Sequence, residues 1–453
     1  FKVLFSKNII LNIGRSTLGI YLFHYYPLRW CTIAMGGKQL NDSFYYYPLT
    51  IICTLVILVL AYFITTAVKS NKITAFLFLG INMIALPAQS GGGPFRYFQM
   101  LLKKIAEYEL IDVSFIIYKQ KQISIEYLAV PSSLNVEYVD VPNLGFGIRR
   151  ILFEQTLFYL YLKPLDVLYS YCTSMPLLAR CKKVFTLHDV YYLTTKERYG
   201  FLQRTYLTWM TKLYCKLCDT VLTVSEFSYN EIRKYLKVPE DRLFITYNFI
   251  DNNTTDPKRP DKLEDVNGRK IDMDKPYFFY VGDLQPGKNI KGMVDGFVKY
   301  ANTRSDIQLI IAGKSSSYGQ EMSHYISNFD NVFYLGYLSR NDVNWLLKNC
   351  SGTVLLSFCE GFGIPPLEGF GYGKPALTSN MASLPEVVGR AGVKINPYKI
   401  DEIAFGFKTL EEQYLEYVQN IPEQLAKFSP IKSAESFMDA LRINYKPYSC
   451  MNM

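Results

Sequence analysis

"GTVLLSFCEGFGIPPLEGFGYGKPALTS" (residues 352–379) is the stretch on which the fold prediction depends. The apolar run "GTVLLSF" predicts a buried strand, and "KPALTS" predicts a second one. Between them, Pro365 and Pro366 indicate the first turn of a helix, where a proline loses no helical hydrogen bond. A strand, a glycine-rich loop, a helix and another strand form one repeating unit of a parallel α/β sheet.

Two carboxylates lie on either side of this loop. Glu360 follows the first strand directly, and Glu368 lies one turn into the helix, where side chains lean back toward the helix N-terminus. Gly361 and Gly363 allow the backbone to approach a ligand, and a helix N-terminus attracts phosphate. Because carboxylates accept hydrogen bonds from sugar hydroxyls, the pattern predicts binding of a nucleotide sugar. Glycoside hydrolases also use two carboxylates, but they need no phosphate-binding loop.

The same alternation of strands and helices extends over most of the chain. Short apolar runs separated by helical stretches predict further strands. They are "INMIALPA", "VSFIIYK", "VLYSY", "VFTLHDV", "TVLTVS", "PYFFYVGDL", "IQLIIAGK" and "VFYLGYL". The polar segment 251–275 interrupts the pattern and predicts a linker. We therefore expect an α/β fold with two doubly wound, Rossmann-like domains, 81–250 and 276–427, which bind ligands at the carboxyl ends of their strands.

Three consecutive glycines follow the first predicted strand of this pattern. They open a helical stretch with apolar spacing, so a strand, a turn and a helix N-terminus come together as a candidate anion site. Gly92 and Gly93 are therefore candidates for holding the donor phosphates or the acceptor, although a plain turn would explain them as well.

The first 80 residues differ from the rest in charge and hydropathy. They contain seven Lys and Arg against one Asp, or +6 of the formal net charge of +9, which leaves +3 for residues 81–453. The nearly neutral remainder gives no indication of nucleic-acid binding. Residues 48–68 are uncharged and long enough to span a bilayer, and residues 8–35 form a second apolar stretch. The flanking lysines predict a membrane-associated protein whose soluble domains lie on the cytoplasmic side.

A resemblance supports the membrane prediction for residues 1–80. "IGRSTLGIYLFHYYPL" (13–28) and "TLVILVLAYFITTAVKSNKITAFLFLG" (54–80) resemble the last two membrane helices of the membrane-bound acyltransferase 3 family. The catalytic Arg and His of that family lie in N-terminal helices that have no counterpart in this sequence. His24 is therefore not expected to be catalytic.

The second resemblance covers residues 81–442. "FCEGFGIPPLEGFGYGKPALTSNMASLPEV" resembles the Glu-x7-Glu region of retaining GT-B glycosyltransferases of family 4, also called group 1. "YVGDLQPGKNIKG", "VFTLHDV" and "TVSEFSYNEI" resemble other parts of that family, in its order along the chain. "KFSPIKSAESFMDAL" resembles its C-terminal helix, which crosses back to the first domain. The resemblance implies a GT-B fold, with a cleft between the two domains and a crossover helix and tail in residues 428–453.

The same resemblance implies roles for individual residues. Glu368 would bind the ribose, Glu360 the hydroxyls of the donor sugar, and Lys288 the diphosphate. His188 would lie at the donor sugar or at the incoming acceptor. The other donor-binding positions are Gly282, Gly361, Phe362, Gly363 and Ile364, together with Gly92 and Gly93.

Two features depart from the family pattern. The first is Pro430, at a position where a tryptophan is frequent, and the second concerns the diphosphate. Many relatives have an arginine that helps the lysine to bind the diphosphate, at one of two positions that are here Asp283 and Gly287. Diphosphate binding would then depend on Lys288 with backbone amides, or on Arg96 or another residue.

The sequence thus predicts a membrane-tethered retaining glycosyltransferase that moves a sugar from a nucleotide-sugar donor to a lipid-linked or polysaccharide acceptor. Neither a cofactor nor a metal is expected, since the metal-binding type of DxD motif follows a strand, whereas Asp272 and Asp274 lie in the linker. Two alternatives were considered. The first is a membrane acyl-transfer or transport fragment fused to a passive GT-B-like module, and the second is an inactive GT-B binding module. The intact set of Glu360, Glu368 and Lys288 argues against the inactive module.

Overall fold

The computed structural model describes residues 77–87, 92–145, 147–194, 200–250, 256–260, 263–304, 306–315, 317–443 and 445–446. The predicted membrane spans, 8–35 and 48–68, lie outside these residues. Within the described ranges, no helix is both long enough and apolar enough to cross a bilayer. Residues 76–453 form one compact unit.

The first half of this unit is built on a seven-stranded parallel sheet with the strand order β4-β3-β1-β5-β6-β7-β8. The strands are β1 Leu77–Asn82, β2 Glu109–Leu110, β3 Val113–Gln120, β4 Val136–Val141, β5 Val167–Ser170, β6 Lys182–Thr186, β7 Thr220–Thr223 and β8 Leu243–Ile245. The helices are α1 Gly92–Ile105, α2 Ile125–Leu128, α3 Ile148–Thr156, α4 Tyr191–Thr194, α5 Phe201–Leu217 and α6 Glu226–Leu236. The short β2 is outside this sheet. Because β5 returns to the other side of β1, the strand order reverses between these two strands.

The first strand begins earlier than the sequence indicated. Residues 77–80 belong to β1, which pairs in parallel with both β3 and β5, and not to the segment assigned to the membrane. The reason is that a central strand of a parallel sheet is buried on both faces and reads as a continuous apolar run. Hydropathy alone does not distinguish such a run from the end of a membrane helix.

The second half contains a six-stranded parallel sheet with the order β11-β10-β9-β12-β13-β14. Its strands are β9 Tyr277–Val281, β10 Gln308–Ala312, β11 Val332–Tyr334, β12 Gly352–Leu355, β13 Ala376–Ser379 and β14 Gly392–Ile395. Its helices are α7 Ile290–Ala301, α8 Ser317–Ile326, α9 Arg340–Asn349, α10 Ile364–Phe370, α11 Leu384–Val388 and α12 Ile400–Glu412. Here the strand order reverses between β9 and β12. Two parallel sheets covered by helices agree with the predicted α/β class.

The described part of the linker from residue 263 onward is more ordered than its polar composition suggested. Glu264 and Lys270 form an antiparallel bridge, and the turn between them is held by a 2.7 Å ion pair from Arg269 to the buried Asp265. The amide of Val266 donates a hydrogen bond of 2.9 Å to the carbonyl of Tyr334, at the end of β11. The second half of the linker is therefore a small turn packed on the second domain, because its charged residues pair with each other.

The C-terminal helices α13 Tyr414–Lys427 and α14 Pro430–Leu441 return to the first domain. The ring of Phe437 on α14 meets that of Tyr169 on β5 edge to face, with 4.9 Å between centroids. Lys182 donates a 2.9 Å hydrogen bond to the carbonyl of Ala440. Beyond α14, β15 Tyr445–Lys446 pairs antiparallel with β2. The two domains are thus joined both by the linker and by this crossover.

Candidate active site

The loops that follow β9 and β12 lie at the point where the strand order of the second sheet reverses. In open α/β sheets, ligands bind in the crevice at such a point, outside the carboxyl ends of the strands. The loop after β9 contains Gly282 and ends in a short 3₁₀ turn at Lys288. Gly282 approaches the loop after β10 so closely that a Cβ at Gly313 would lie 1.8 Å from its carbonyl oxygen. The loops after β9 and β10 therefore meet backbone to backbone at Gly282 and Gly313, and the predicted donor contact of Gly282 stays a prediction.

Lys288 and Glu360 meet across this reversal point. The Nζ atom of Lys288 lies 2.5 Å from Oε1 of Glu360, and the hydroxyl of Ser357 donates to the same oxygen at 2.7 Å. Their side chains are 23% and 14% exposed, so this charge pair is largely shielded but remains open to the cleft. A lysine and a carboxylate at this position supply a cation for a diphosphate and an acceptor for sugar hydroxyls.

The helix α10 begins directly after this loop, with Pro365 and Pro366 in its first turn. Gly363 precedes the helix with a φ of +99°, a left-handed conformation that favours glycine. The ring of Phe362 is buried in the core, with its centroid 5.2 Å from that of Phe428. Its side chain is therefore a packing element. Ile364 is half-buried at the start of the helix.

Glu368 is buried, with 5% of its side chain exposed, and two arginines reach its carboxylate. Nη2 of Arg96 lies 2.5 Å from Oε1, and Nη2 of Arg340 lies 2.9 Å from the same oxygen. Arg96 comes from α1 in the first domain, whereas Arg340 begins α9 in the second. The local charge of these three residues is +1, which suits an anionic ligand. Arg96 is thus brought to the site, although it contacts Glu368 and not Lys288.

Gly92 and Gly93 open α1, one turn before Arg96. Gly92 has a φ of +63°, which favours glycine. A Cβ at Gly93 would have no atom within 4 Å. The pair therefore supports both readings of the sequence, a turn at Gly92 and an open approach at Gly93.

His188 follows β6, at the carboxyl edge of the first sheet. Its Nε2 lies 3.0 Å from the carbonyl oxygen of Tyr171, which only accepts hydrogen bonds, so Nε2 carries the proton and Nδ1 is the acceptor. Burial lowers the pKa of His188 to about 4, although the Tyr171 carbonyl opposes this shift. The imidazole is therefore neutral at physiological pH, and it offers a substrate hydroxyl an acceptor rather than a positive charge.

Gly361 lies where the two domains meet, and its predicted contact with the donor stays a prediction. A Cβ on it would lie 2.7 Å from the carbonyl oxygen of His188, in the other domain. Its own carbonyl accepts hydrogen bonds from Ser225 at 2.7 Å and from Ser228 at 3.3 Å. The glycine thus permits two backbones to meet, and it joins the loop of Glu360 to the strand end that carries His188.

A second contact across the domains lies nearby. The carboxylate of Glu386 accepts hydrogen bonds from the amides of Glu226 and Phe227 at the start of α6, at 2.9 and 3.1 Å. A carboxylate at a helix N-terminus stabilises the unsatisfied amides there. Burial raises the pKa of Glu386, while these two amides oppose the shift.

Asp272 and Asp274 lie away from this site. They precede β9, whereas Lys288 follows it, so the strand separates them from the cleft edge of the sheet. Both are largely exposed and lie near cations, at 3.8 Å from Lys275 and 3.7 Å from Arg259. In the described part of the chain, no group of three or more His, Cys, Asp or Glu side chains is arranged to hold a metal ion.

The sequence reasoning missed Arg340, Ser357 and Glu386. Each of these residues lies beyond the carboxyl end of a strand. That position is the only local signal from which they could have been predicted as site residues. Their partners lie 28, 3 and 160 positions away in the chain, respectively.

Comparisons with known proteins agree with this geometry. Residues 92–254 match the model described as "Glycosyltransferase Family 4", and residues 261–428 match "Glycosyl transferases group 1". Neither match extends into residues 1–80.

Two similar proteins with assigned names are bacterial. The O-antigen chain mannosyltransferase B of Escherichia coli is 30% identical over 230 residues, which cover 49% of this chain and 59% of that protein. The O-antigen chain mannosyltransferase RfbU of Salmonella typhimurium is 26% identical over 371 residues, which cover 77% of this chain and 93% of that protein.

Solved structures share the fold at low identity. Sucrose-phosphate synthase from Thermosynechococcus elongatus has a TM-score of 0.65 and 14% identity, and the match covers 81% of this chain and 98% of that one. HepE of Anabaena, in complex with UDP and glucose, has a TM-score of 0.61 and 16% identity, with 81% and 99% covered. These likenesses establish the two-domain GT-B architecture.

Proposed function

Because the chain is a nucleotide-sugar-dependent glycosyltransferase of the GT-B fold, we propose that it transfers a mannosyl group, with retention of configuration, to a surface polysaccharide or its lipid-linked precursor. The choice of sugar and product is supported by the names of the two similar O-antigen mannosyltransferases. The observation that carries the proposal is the 2.5 Å pair of Lys288 and Glu360 at the reversal point of the second sheet, with the buried Glu368 on the following helix.

Lys288, Glu368, Glu360 and His188 have separate roles in the proposed reaction. The bond between C1 of the sugar and the phosphate oxygen breaks, and the nucleoside diphosphate leaves with the electron pair. The acceptor hydroxyl bonds to C1, and its proton passes to the departing phosphate oxygen. Lys288 stabilises the charge that grows on the leaving diphosphate. Glu368 accepts hydrogen bonds from the ribose, and Glu360 from the hydroxyls of the donor sugar. His188, which is neutral, accepts a hydrogen bond from a hydroxyl through Nδ1.

We propose that this reaction needs no metal ion. A side-chain cation and backbone amides near the diphosphate take the place of Mg²⁺ or Mn²⁺. The exposed positions of Asp272 and Asp274, before β9 rather than after it, support this view.

We also propose that the enzyme works at the cytoplasmic face of a membrane, tethered by the residues that precede β1. The outer face of α5 supports this view, since Phe201, Leu202 and Trp209 are 76%, 81% and 68% exposed. The helix contains Lys212 and Lys216 but no acidic residue. Exposed aromatic and apolar side chains beside lysines suit the interface of an anionic bilayer.

The membrane proposal is tested with vesicles that contain an anionic phospholipid. Trp209→Ser should weaken vesicle binding of the full chain, whereas Phe405→Ser, which removes a 64% exposed aromatic ring from α12, should not. Equal binding by all three proteins would count against the α5 surface.

The catalytic proposal is tested with a panel of UDP-, GDP-, ADP- and dTDP-sugars, mannosyl donors included. We expect release of nucleoside diphosphate from one donor class, and a large loss of this release in Lys288→Ala. Retention is then read from the anomeric configuration of the product by NMR. No turnover of any donor by the wild-type chain, with a lipid-linked acceptor present, would refute the proposal.

A further inference from the structure

We propose that Arg96 is a positioning residue of the nucleotide site, so that the ribose subsite is complete only when both domains contribute to it. This inference rests on the proposed function, in which Glu368 binds the ribose. Arg96 and Arg340 hold one carboxylate oxygen of Glu368, and the other oxygen is left to accept the ribose hydroxyls.

The two arginine contacts are made to only one of the two carboxylate oxygens of Glu368. Both arginines reach Oε1 of Glu368, at 2.5 and 2.9 Å, and Oε2 accepts no hydrogen bond from the residues that the structure describes. The terminal torsion of a glutamate is broad, so a lone carboxylate rotates easily. Two guanidinium groups on the same oxygen fix that rotation and point Oε2 in one direction.

The burial of the three side chains also supports a positioning role. The Glu368 side chain is 5% exposed, whereas those of Arg96 and Arg340 are 43% and 49% exposed. A buried carboxylate is costly unless it is paired, but one arginine would satisfy that need. The second cation is therefore in excess of what neutralisation requires.

The cross-domain origin of Arg96 is the distinctive feature. Arg340 and Glu368 belong to the same domain, so Arg340 alone already gives the buried carboxylate an ion-pair partner. Arg96 adds a contact from α1 of the other domain, across 272 positions of the chain. Removal of Arg96 leaves Glu368 paired with Arg340, so the variant should fold.

The test measures binding of UDP and GDP to the full chain by calorimetry, and of their 2′,3′-dideoxy forms, which have no ribose hydroxyl for Glu368. For whichever of UDP and GDP binds more tightly, Arg96→Ala should weaken binding about tenfold. This figure corresponds to the loss of one charge-assisted contact, reduced because the guanidinium of Arg96 is partly exposed. Arg96→Lys, which keeps the positive charge but not the planar guanidinium, should weaken nucleotide binding about threefold. Lys104→Ala removes the same charge from the far end of α1 and should have little effect.

The dideoxy form separates positioning from a general loss of structure. Arg96→Ala should change the affinity for the dideoxy nucleotide less than about twofold, because that ligand has no ribose hydroxyl for Glu368 to bind. The same small change is expected for the ribonucleotide when Arg96→Ala is combined with Glu368→Gln, since the contact between Glu368 and the ribose is then already missing. An equal loss for both forms of the nucleotide, or no loss for the ribonucleotide, would overturn the inference.

The controls distinguish the inference from the function on which it rests. If Glu368→Gln weakens ribonucleotide binding while Arg96→Ala and Arg96→Lys do not, only the role of Arg96 is wrong. If Glu368→Gln has no effect on either nucleotide, the proposed ribose contact itself is wrong. Thermal unfolding of each variant shows whether a lost affinity reflects lost structure.

Discussion

Gly361→Ala is the substitution for which the structure gives the sharpest prediction. The new methyl group would point across the seam between the domains, at the backbone of His188. It would change no charge and remove no hydrogen-bonding group. Its effect therefore reports only on how closely the loop of Glu360 must approach the other domain.

The expected magnitude follows from the distances. The added Cβ would lie 2.7 Å from the carbonyl oxygen of His188 and 3.5 Å from Cβ of Asp189. An ordinary contact needs about 3.4 Å, so the two backbones must separate by several tenths of an ångström. Overpacking of this kind costs about 1–3 kcal/mol of stability. Because a misplacement of 1 Å can cost about 100-fold in rate, we expect kcat to fall about tenfold.

The assay combines steady-state turnover of the identified donor with calorimetric binding of the free nucleoside diphosphate. The affinity for the nucleotide should fall less than kcat does, because Glu368 keeps its contact with Arg340 in the same domain even where the approach of Arg96 is loosened. Gly200→Ala is the matched control, because a Cβ there has no neighbour within 4 Å and φ is −58°. Turnover by Gly361→Ala equal to that of this control would refute the close approach of the two loops.

The remaining predictions concern the carboxylates, metal and pH. Glu368→Gln should weaken nucleotide binding about tenfold or more, through one lost charge-assisted contact, whereas Glu360→Gln should mainly lower kcat, because the donor sugar is nearest the developing charge. EDTA should leave turnover unchanged, since Asp272 and Asp274 lie outside the site. The depressed pKa of His188, about 4, means that the unfolded chain binds more protons than the native one between pH 4 and 6.5. The contribution of His188 to the free energy of unfolding is present in full above pH 6.5. It should therefore decline as the pH falls toward 4. Denaturant titrations of wild type and His188→Gln across this pH range measure how the free energy of unfolding of each protein depends on pH.

Each of these predictions has an outcome that would contradict it. Equal weakening of bare-nucleotide binding by the two glutamate variants would show that their roles are assigned wrongly. Turnover lost with EDTA and restored by Mn²⁺ would return the two linker aspartates to consideration. The same acid dependence of unfolding in wild type and His188→Gln would place the responsible group elsewhere.

Much of the site was predictable because its signals are local. A strand that ends at Glu360, a glycine loop and a Pro-Pro helix start all lie within about a dozen residues, and each follows from the backbone preferences of those residues. The placement of Lys288 after a strand is equally local. By contrast, only the structure shows that the ring of Phe362 packs in the core and that Gly361 lies at the seam between the domains. Their contacts with the donor stay predictions.

The sequence by itself determined the α/β class, the strand–loop–helix order and the positions of the two glutamates, since apolar periodicity and glycine or proline preferences act over short distances. Only the tertiary structure decided that β1 begins at Leu77, because strand pairing and not hydropathy separates a buried strand from a membrane segment. It also decided that Arg96 reaches Glu368 and that Gly361 meets His188. These contacts join residues 272 and 173 positions apart, and no spacing within the sequence specifies them, because they exist only once the two domains meet.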